Sequence, residues 1–296
     1  WMRNSGRFSY CGDLTAKPCL NALVDGESCD YHRIIEVASG GKLSRGENIG
    51  RFGIGFVSTY QITDHPQIHS GGIRLTLRPE LENSIVEKIA DEGGTAFFLP
   101  WATDPESPAR RALGQSHVGV EHIDNVASDI QDVLRRSLLF LRHVTKAEVR
   151  RNGRLLLGCD LDRGDGSGLR LTFSPDGQVE RWIVLRADAR EAARELYETF
   201  PRLEELDRDT KISVGLRVEP APLDNGLIYA FLPTEQPTGL PIHINADFFP
   251  EGDRKAVIFA GHRHQNAWNE ILINAAAKEL ARNPEELAGA IGHNQL

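Results

Sequence analysis

The chain has 296 residues, 40% of them apolar, a formal net charge of −8 and ten histidines. This is enough for one large domain or two ordinary ones with a real core, and the acidic balance makes the chain a poor candidate for a nonspecific nucleic-acid binder that works by counterion release. No run approaches the roughly 18 apolar residues of a membrane span. No basic–apolar–cleavage pattern of a signal peptide opens the chain. It starts at Trp1, which reads as a fragment or a processed chain.

In chain order, the first thirty residues show no sustained period, and Ala22 to Val24 carry the only helical hint. "YHRIIEVAS" puts Ile34, Ile35 and Ala38 on one helix face, with Gly40 and Gly41 as a stop. A polar loop leads to the glycines Gly50, Gly53 and Gly55, and Phe56 to Ile62 read as the first turns of a helix. "IRLTLRPE" alternates as a strand, residues 84–92 form a short charged segment, and "GGTAFFLPW" reads as a buried strand. "DPESPARRALG" reads as a proline-rich loop. Residues 120–142 form a long amphipathic helix or helix pair striped by Ile123, Val126, Ile130, Val133, Leu134, Leu138 and Leu141.

Two hairpins follow, around Asn152-Gly153 and Asp176-Gly177. Then come a helix at about 188–199, the strands "KISVGLRV" and "GLIYAFLP", and a terminal helix from Gln265 to about Arg282. His243 and Asn245 alternate in "PIHINADFF" as one polar face of a strand, and Trp268 reads as a packing anchor. Strands and helices without a strict βαβ rhythm predict an α+β architecture in two layers, with a domain boundary near residue 145. The domains are then 1–145, and 146–296 ending in a helix.

The four cysteines, Cys11, Cys19, Cys29 and Cys159, form no CxxC pair and no zinc-type spacing with histidine. They read as free thiols in a reducing cytoplasm, with no metal site expected. His262 and His264 have no third ligand nearby and read as surface residues.

The glycine turn is the strongest signal. Glycines permit positive φ and let backbone N–H groups approach a ligand, and a helix beginning at once adds orphan N–H donors. Together these suit a phosphate. No Lys-Ser or Lys-Thr follows, so the segment is not a P-loop, and no strand leads into it as in a dinucleotide fingerprint.

"IIEVASGGKLSRGENIGRFGIGFVSTYQITD" resembles the ATP-binding domain of the GHKL superfamily, which includes gyrase-type topoisomerases, heat-shock chaperones, histidine kinases and MutL. It is most similar to the heat-shock-chaperone and sacsin branch. The pattern I-G-x-F-G-x-G-F is met by Ile49, Gly50, Phe52, Gly53, Gly55 and Phe56. The resemblance implies a Bergerat-type two-layer α/β sandwich that binds ATP, incomplete at its N-terminus, followed by an α+β middle domain. It implies that Gly50, Arg51, Phe52, Gly53, Ile54, Gly55 and Phe56 line the phosphates at one end of an ATP lid. Lys42, near the start of that lid, is a further candidate contact. Gly94-Thr95 would be the next landmark, with Thr95 near the adenine. Asp25 and Gly26 in "VDGESCD" would be the remnant of an adenine-binding D-x-G-x-G, with Asp25 one residue out of register. Arg254 in "EGDRKAV", ahead of Lys255, would contact the γ-phosphate as an arginine finger does.

The resemblance further implies magnesium-dependent ATP hydrolysis that drives lid closure. It implies client or partner proteins, a homodimer and a cytoplasmic location without a membrane. The family's helix with a general-base Glu and a magnesium-holding Asn has no counterpart before residue 30, where Asn21 is the sole candidate. The alternative reading is therefore a nucleotide-binding regulatory or interaction module that does not hydrolyse ATP. A histidine kinase is disfavoured because no phosphoacceptor helix pair precedes the ATP domain. A gyrase-like or MutL-like role on DNA is disfavoured by the charge.

Overall fold

The computed structural model describes residues 1–38, 54–81, 84–141, 144–164, 166–261 and 263–291. It divides into two compact units, Trp1–Asn125 and Val126–Leu296. Each is a mixture of helices with one antiparallel or nearly antiparallel sheet, so the α+β class holds.

The first unit begins with β1 (Met2–Asn4), α1 (Leu20–Asp25) and α2 (Asp30–Ala38). Within the glycine segment begins α3 (Ile54–Val57), followed by a 3-10 turn at Ser58–Gln61. Four strands follow: β2 (Gln67–Ser70), β3 (Ile73–Thr76), β4 (Ile85–Lys88) and β5 (Thr95–Phe98). The sheet runs β1-β5-β2-β3-β4, antiparallel throughout. Its inward face carries Ile68, Ile73, Leu75 and Leu77 against Tyr31, Cys19 and Cys29, with Phe8, Ile34, Ile35 and Phe97 packed around them. The Tyr31 hydroxyl donates to the carbonyl of Ser70 at 2.9 Å, which fixes α2 over the sheet.

Two elements depart from the sequence expectation. The charged segment at 84–92 contains β4, an exposed edge strand paired to β3. The proline-rich stretch holds a helix, α4 (Pro108–Leu113). Ser107 caps it by accepting from the Arg110 N–H, and Pro108 opens it, where its missing N–H costs nothing. The sequence signature was a capped helix start, and the density of prolines concealed it.

The long helix α5 (Val120–Ser137) runs into a 3-10 turn at Leu138–Phe140. The second unit then builds β6 (Lys146–Arg151), β7 (Arg154–Arg163), β8 (Gly168–Ser174) and β9 (Val179–Asp188). Next come α6 (Arg190–Thr199), α7 (Arg202–Glu205), β10 (Lys211–Glu219), β11 (Leu227–Ala230), β12 (Leu232–Pro237) and β13 (Ile242–Asn245). Finally come α8 (His264–Arg282) and α9 (Pro284–Ile291). The sheet order is β12-β11-β13-β10-β9-β8-β7-β6, and β11 with β13 is its parallel pair.

Both faces of this sheet are covered. One face packs Leu185, Ile212, Val214, Leu216 and Ile244 against Trp268, Leu272 and Ala276 of α8. The other packs Leu157, Leu161, Leu171, Phe173 and Trp182 against Leu138, Leu139 and Phe140. Trp268 is fully buried and stacks on Tyr197. His243 and Asn245 are buried, not a polar face: all four residues of β13 lie inside. Their polar atoms are used locally. His243 Nδ1 accepts the Leu227 N–H at 2.8 Å and Asn245 Oδ1 accepts the Phe231 N–H at 3.0 Å.

Candidate functional site

Of the expected phosphate-contacting residues, Lys42, Gly50, Arg51, Phe52 and Gly53 lie outside the described residues. Ile54 and Gly55 are the first two residues of α3, so the helix begins within the glycine segment, before Gly55 and not at Phe56, and passes into the 3-10 turn after Val57. Phe56 follows on that helix. Its ring meets Tyr60 edge-on at 6.5 Å and lies tilted to Phe97 of β5 at 6.4 Å. The helix start is thereby tied to the sheet.

The far end of the same turn is held by Arg110, a residue the sequence reading passed over. Its side chain is 2% exposed. Nε donates to the carboxylate of Asp64, and Nη2 donates to the carbonyls of Tyr60 and Thr63. Nη1 donates to the carbonyls of Gln61 and Ser116 at 3.3 and 3.2 Å. The Ser107 hydroxyl donates to the other oxygen of Asp64 at 2.8 Å. All five guanidinium donors are therefore used. The carbonyls left over where the 3-10 turn ends are satisfied by a side chain from α4.

Thr95 begins β5 and is buried. Its hydroxyl donates to the Gly6 carbonyl at 2.8 Å and sits 2.8 Å from the Ser70 hydroxyl, which accepts the Phe8 N–H at 3.0 Å. This relay pins residues 6–8 to the sheet. Gly94 is needed where it stands: its φ is +66°, and an added Cβ would lie 2.2 Å from the Asn4 carbonyl oxygen. Asp25 is the exposed last residue of α1, and Gly26 is the left-handed cap that ends it, with open space where a Cβ would be. Within the described residues, Gly26 serves as a helix stop. Arg254 is exposed at φ 60°, its N–H donating to the Glu251 carbonyl and Nη2 to the Ala230 carbonyl at 3.4 Å.

Residues 18–91 match the Sacsin domain. The match covers less than half of the chain. No curated protein and no solved structure matches it. The Sacsin-domain segment contains Asp25, Gly26, Lys42, the whole glycine turn, Asp64 and the first three strands after it, and it stops just short of Gly94 and Thr95.

Near the start of the matched segment lies a cluster that sequence spacing did not reveal. Cys11, Cys19, Cys29 and His32 bring three sulfurs and one ring nitrogen within 4.8 Å of one another. Cys29 precedes α2 and His32 lies in its first turn, so one helix presents both. Cys19 arrives from the residue before α1, and Cys11 from the loop after β1. Cys19, Cys29 and His32 are buried. His32 Nδ1 stands 3.2 Å from the Cys29 sulfur and 3.5 Å from the Cys11 sulfur. The Cys29 N–H donates to the Cys19 sulfur at 3.3 Å. Burial acts to raise the Cys19 thiol, but the N–H groups of Cys29, Ala22 and Asn21 outweigh it and bring the thiol down to about 6. Burial pushes Cys29 up to about 11. The thiols are free, as expected, but three of the four are not independent.

Proposed function

We propose that this chain is part of an ATP-binding protein of the heat-shock-chaperone and sacsin-like GHKL type. In it, ATP closes a lid and drives a conformational change, with magnesium-dependent hydrolysis in the complete protein. The observation that carries this reading is the overlap of the Sacsin-domain match with the I-G-x-F-G-x-G-F pattern at residues 49–56. The short helix that begins at Ile54 is consistent with it, since the N–H groups that a helix start leaves without intrahelical partners suit phosphate oxygens. The reading takes the first unit as a Bergerat-type sandwich, and in it Arg254 would contact the γ-phosphate.

The test is calorimetry with ATP on the chain and on Gly53→Val and Gly55→Val, with circular dichroism as the folding control. Valine blocks close backbone approach at either position, and at Gly53 it would also disfavour a positive φ. Each variant should stay folded and lose at least about tenfold in affinity. Equal affinity in all three folded proteins would remove the assignment.

A second reading, a nucleotide-binding module without turnover, is favoured by one observation. Neither helix before the glycine turn carries both groups that hydrolysis needs. Helix α1 has Asn21 but no Glu, and α2 has Glu36 but no Asn. Magnesium-dependent phosphate release by this chain would exclude the second reading.

A further inference from the structure

The thiols of Cys11, Cys19 and Cys29 and the ring of His32 turn their ligand atoms toward one another, and the Cys11 thiol also lies 3.2 Å from the Asp13 carbonyl. His32 Nε2 lies 3.0 Å from the Ala16 carbonyl, which can only accept, so Nε2 carries the ring proton and Nδ1 is left with its lone pair. That lone pair faces two sulfurs, Cys29 at 3.2 Å and Cys11 at 3.5 Å, and can take a proton from one of them only. Cys19 completes the group from the remaining side, already accepting the Cys29 N–H. A cation at the centre would use all four atoms at once.

The dimensions suit one. Bonds of about 2.3 Å to sulfur and about 2.0 Å to nitrogen in a tetrahedron put sulfurs about 3.8 Å apart and sulfur about 3.5 Å from nitrogen. Two of the three sulfur–nitrogen separations are 3.2 and 3.5 Å, and no pair of ligand atoms exceeds 4.8 Å. The outer contacts are also those of a metal site. A ligating histidine donates its other N–H to a carbonyl, which fixes its tautomer and aim, and here Ala16 supplies that carbonyl.

We propose that Cys11, Cys19, Cys29 and His32 bind one zinc ion in a closed, structural site. Three thiolates and one imidazole select zinc over magnesium or calcium, which take oxygen ligands. Four protein ligands leave no open position for catalysis. The ion joins three pieces of chain: the loop after β1, the start of α1 and the start of α2. It thus fastens residues 11–32 over the sheet in a unit whose sequence shows little apolar periodicity there. Metal binding displaces the thiol protons, so affinity falls with acid. This proposal does not depend on nucleotide binding.

The experiment measures metal in the full chain, purified without chelator from medium containing zinc. Elemental analysis should give about one zinc per chain. Cobalt(II) added to the metal-free chain should give the tetrahedral d–d bands and a thiolate charge-transfer band, with intensity for three thiolates. Cys11→Ser, Cys29→Ser and His32→Ala should each weaken zinc by more than the roughly 10–100-fold typical for loss of an outer contact. Cys159→Ala, whose sulfur lies in the second unit, should keep one zinc. Should the ligand variants fail to fold, X-ray absorption on the zinc-bound parent decides, with three sulfurs and one nitrogen expected. An absence of zinc with no cobalt spectrum, a Cys19–Cys29 disulfide in the freshly isolated chain, or an oxygen-rich zinc shell would each overturn the site.

Discussion

Folding of the second unit disfavours the protonated form of His243. Its ring is buried, stacks on Trp182 at 5.4 Å, and is brought down from an ordinary value of 6.5 to about 4, first by burial and then by the charge of Arg217. The Leu227 N–H occupies the Nδ1 position that a second proton would take. A histidine whose pKa falls on folding binds more protons when unfolded, so stability rises with pH between about 4 and about 6.5 and is fully present above that window. The span is worth about 3 kcal/mol. Urea unfolding at pH 7.5 and pH 5 should show about 2 kcal/mol of this loss in the parent chain, since pH 5 still lies above the folded value of about 4. His243→Asn keeps an acceptor but does not titrate, so its unfolding should be flatter by that amount; a slope identical to the parent's would contradict the assignment. Sequence alone misplaced this residue for a physical reason. Alternation marks a polar face only where one face of a sheet meets water, and β13 is covered on both faces, so its polar atoms are spent on neighbouring N–H groups.

Among the elements, helices and hairpins with a strong period or a two-residue turn were legible: α2, α5, α6, α8, and the hairpins at Asn152-Gly153 and Asp176-Gly177. The short strands β3, β5 and β11 were legible too, whereas β1, β2 and β4 were not. In β2 one of the inward residues is Ser70, whose hydroxyl is satisfied across strands, so no apolar alternation announces it. Helix α4 was hidden by its prolines, and with it the role of Arg110. That side chain joins α4 to the turn after α3 through Asp64 and the carbonyls of Tyr60, Gln61 and Thr63. Arg110→Met should therefore lower the stability of the first unit by about 3–5 kcal/mol, as expected when a buried ion pair loses one partner. Arg110→Lys should restore part of it, because an ammonium has three donors where five are used. Urea unfolding followed by a probe in the first unit would measure both; a full rescue by lysine would mean that charge alone matters there.

For the whole molecule, composition and the change from helical to strand period near residue 145 indicated α+β architecture, while the metal-type cluster stayed invisible. Its four members are spread over Cys11 to His32, with Cys29 and His32 the one pair close enough in sequence to suggest a site, and the packing of α1 and α2 over the sheet gathers the rest. Among the described residues, no helix is long and apolar enough to cross a membrane. The eight-stranded sheet, open at β12 and β6, has a bearing on self-association. An unpaired strand edge is a template for another chain. On β12, Pro233 and Pro237 have no N–H to offer, and the Glu235 N–H is already taken by the Lys255 carbonyl at 2.8 Å. On β6, Lys146, Glu148, Arg150 and Arg151 crowd the edge with charge, and a bulge lies between Val149 and Arg150. Replacing both prolines, Pro233→Val with Pro237→Val, should make apparent mass rise with concentration in light scattering relative to the parent; an unchanged mass would show that the charged edge and the Lys255 contact suffice. The same features that leave this sheet without a closing strand also leave it a poor nucleus for fibres.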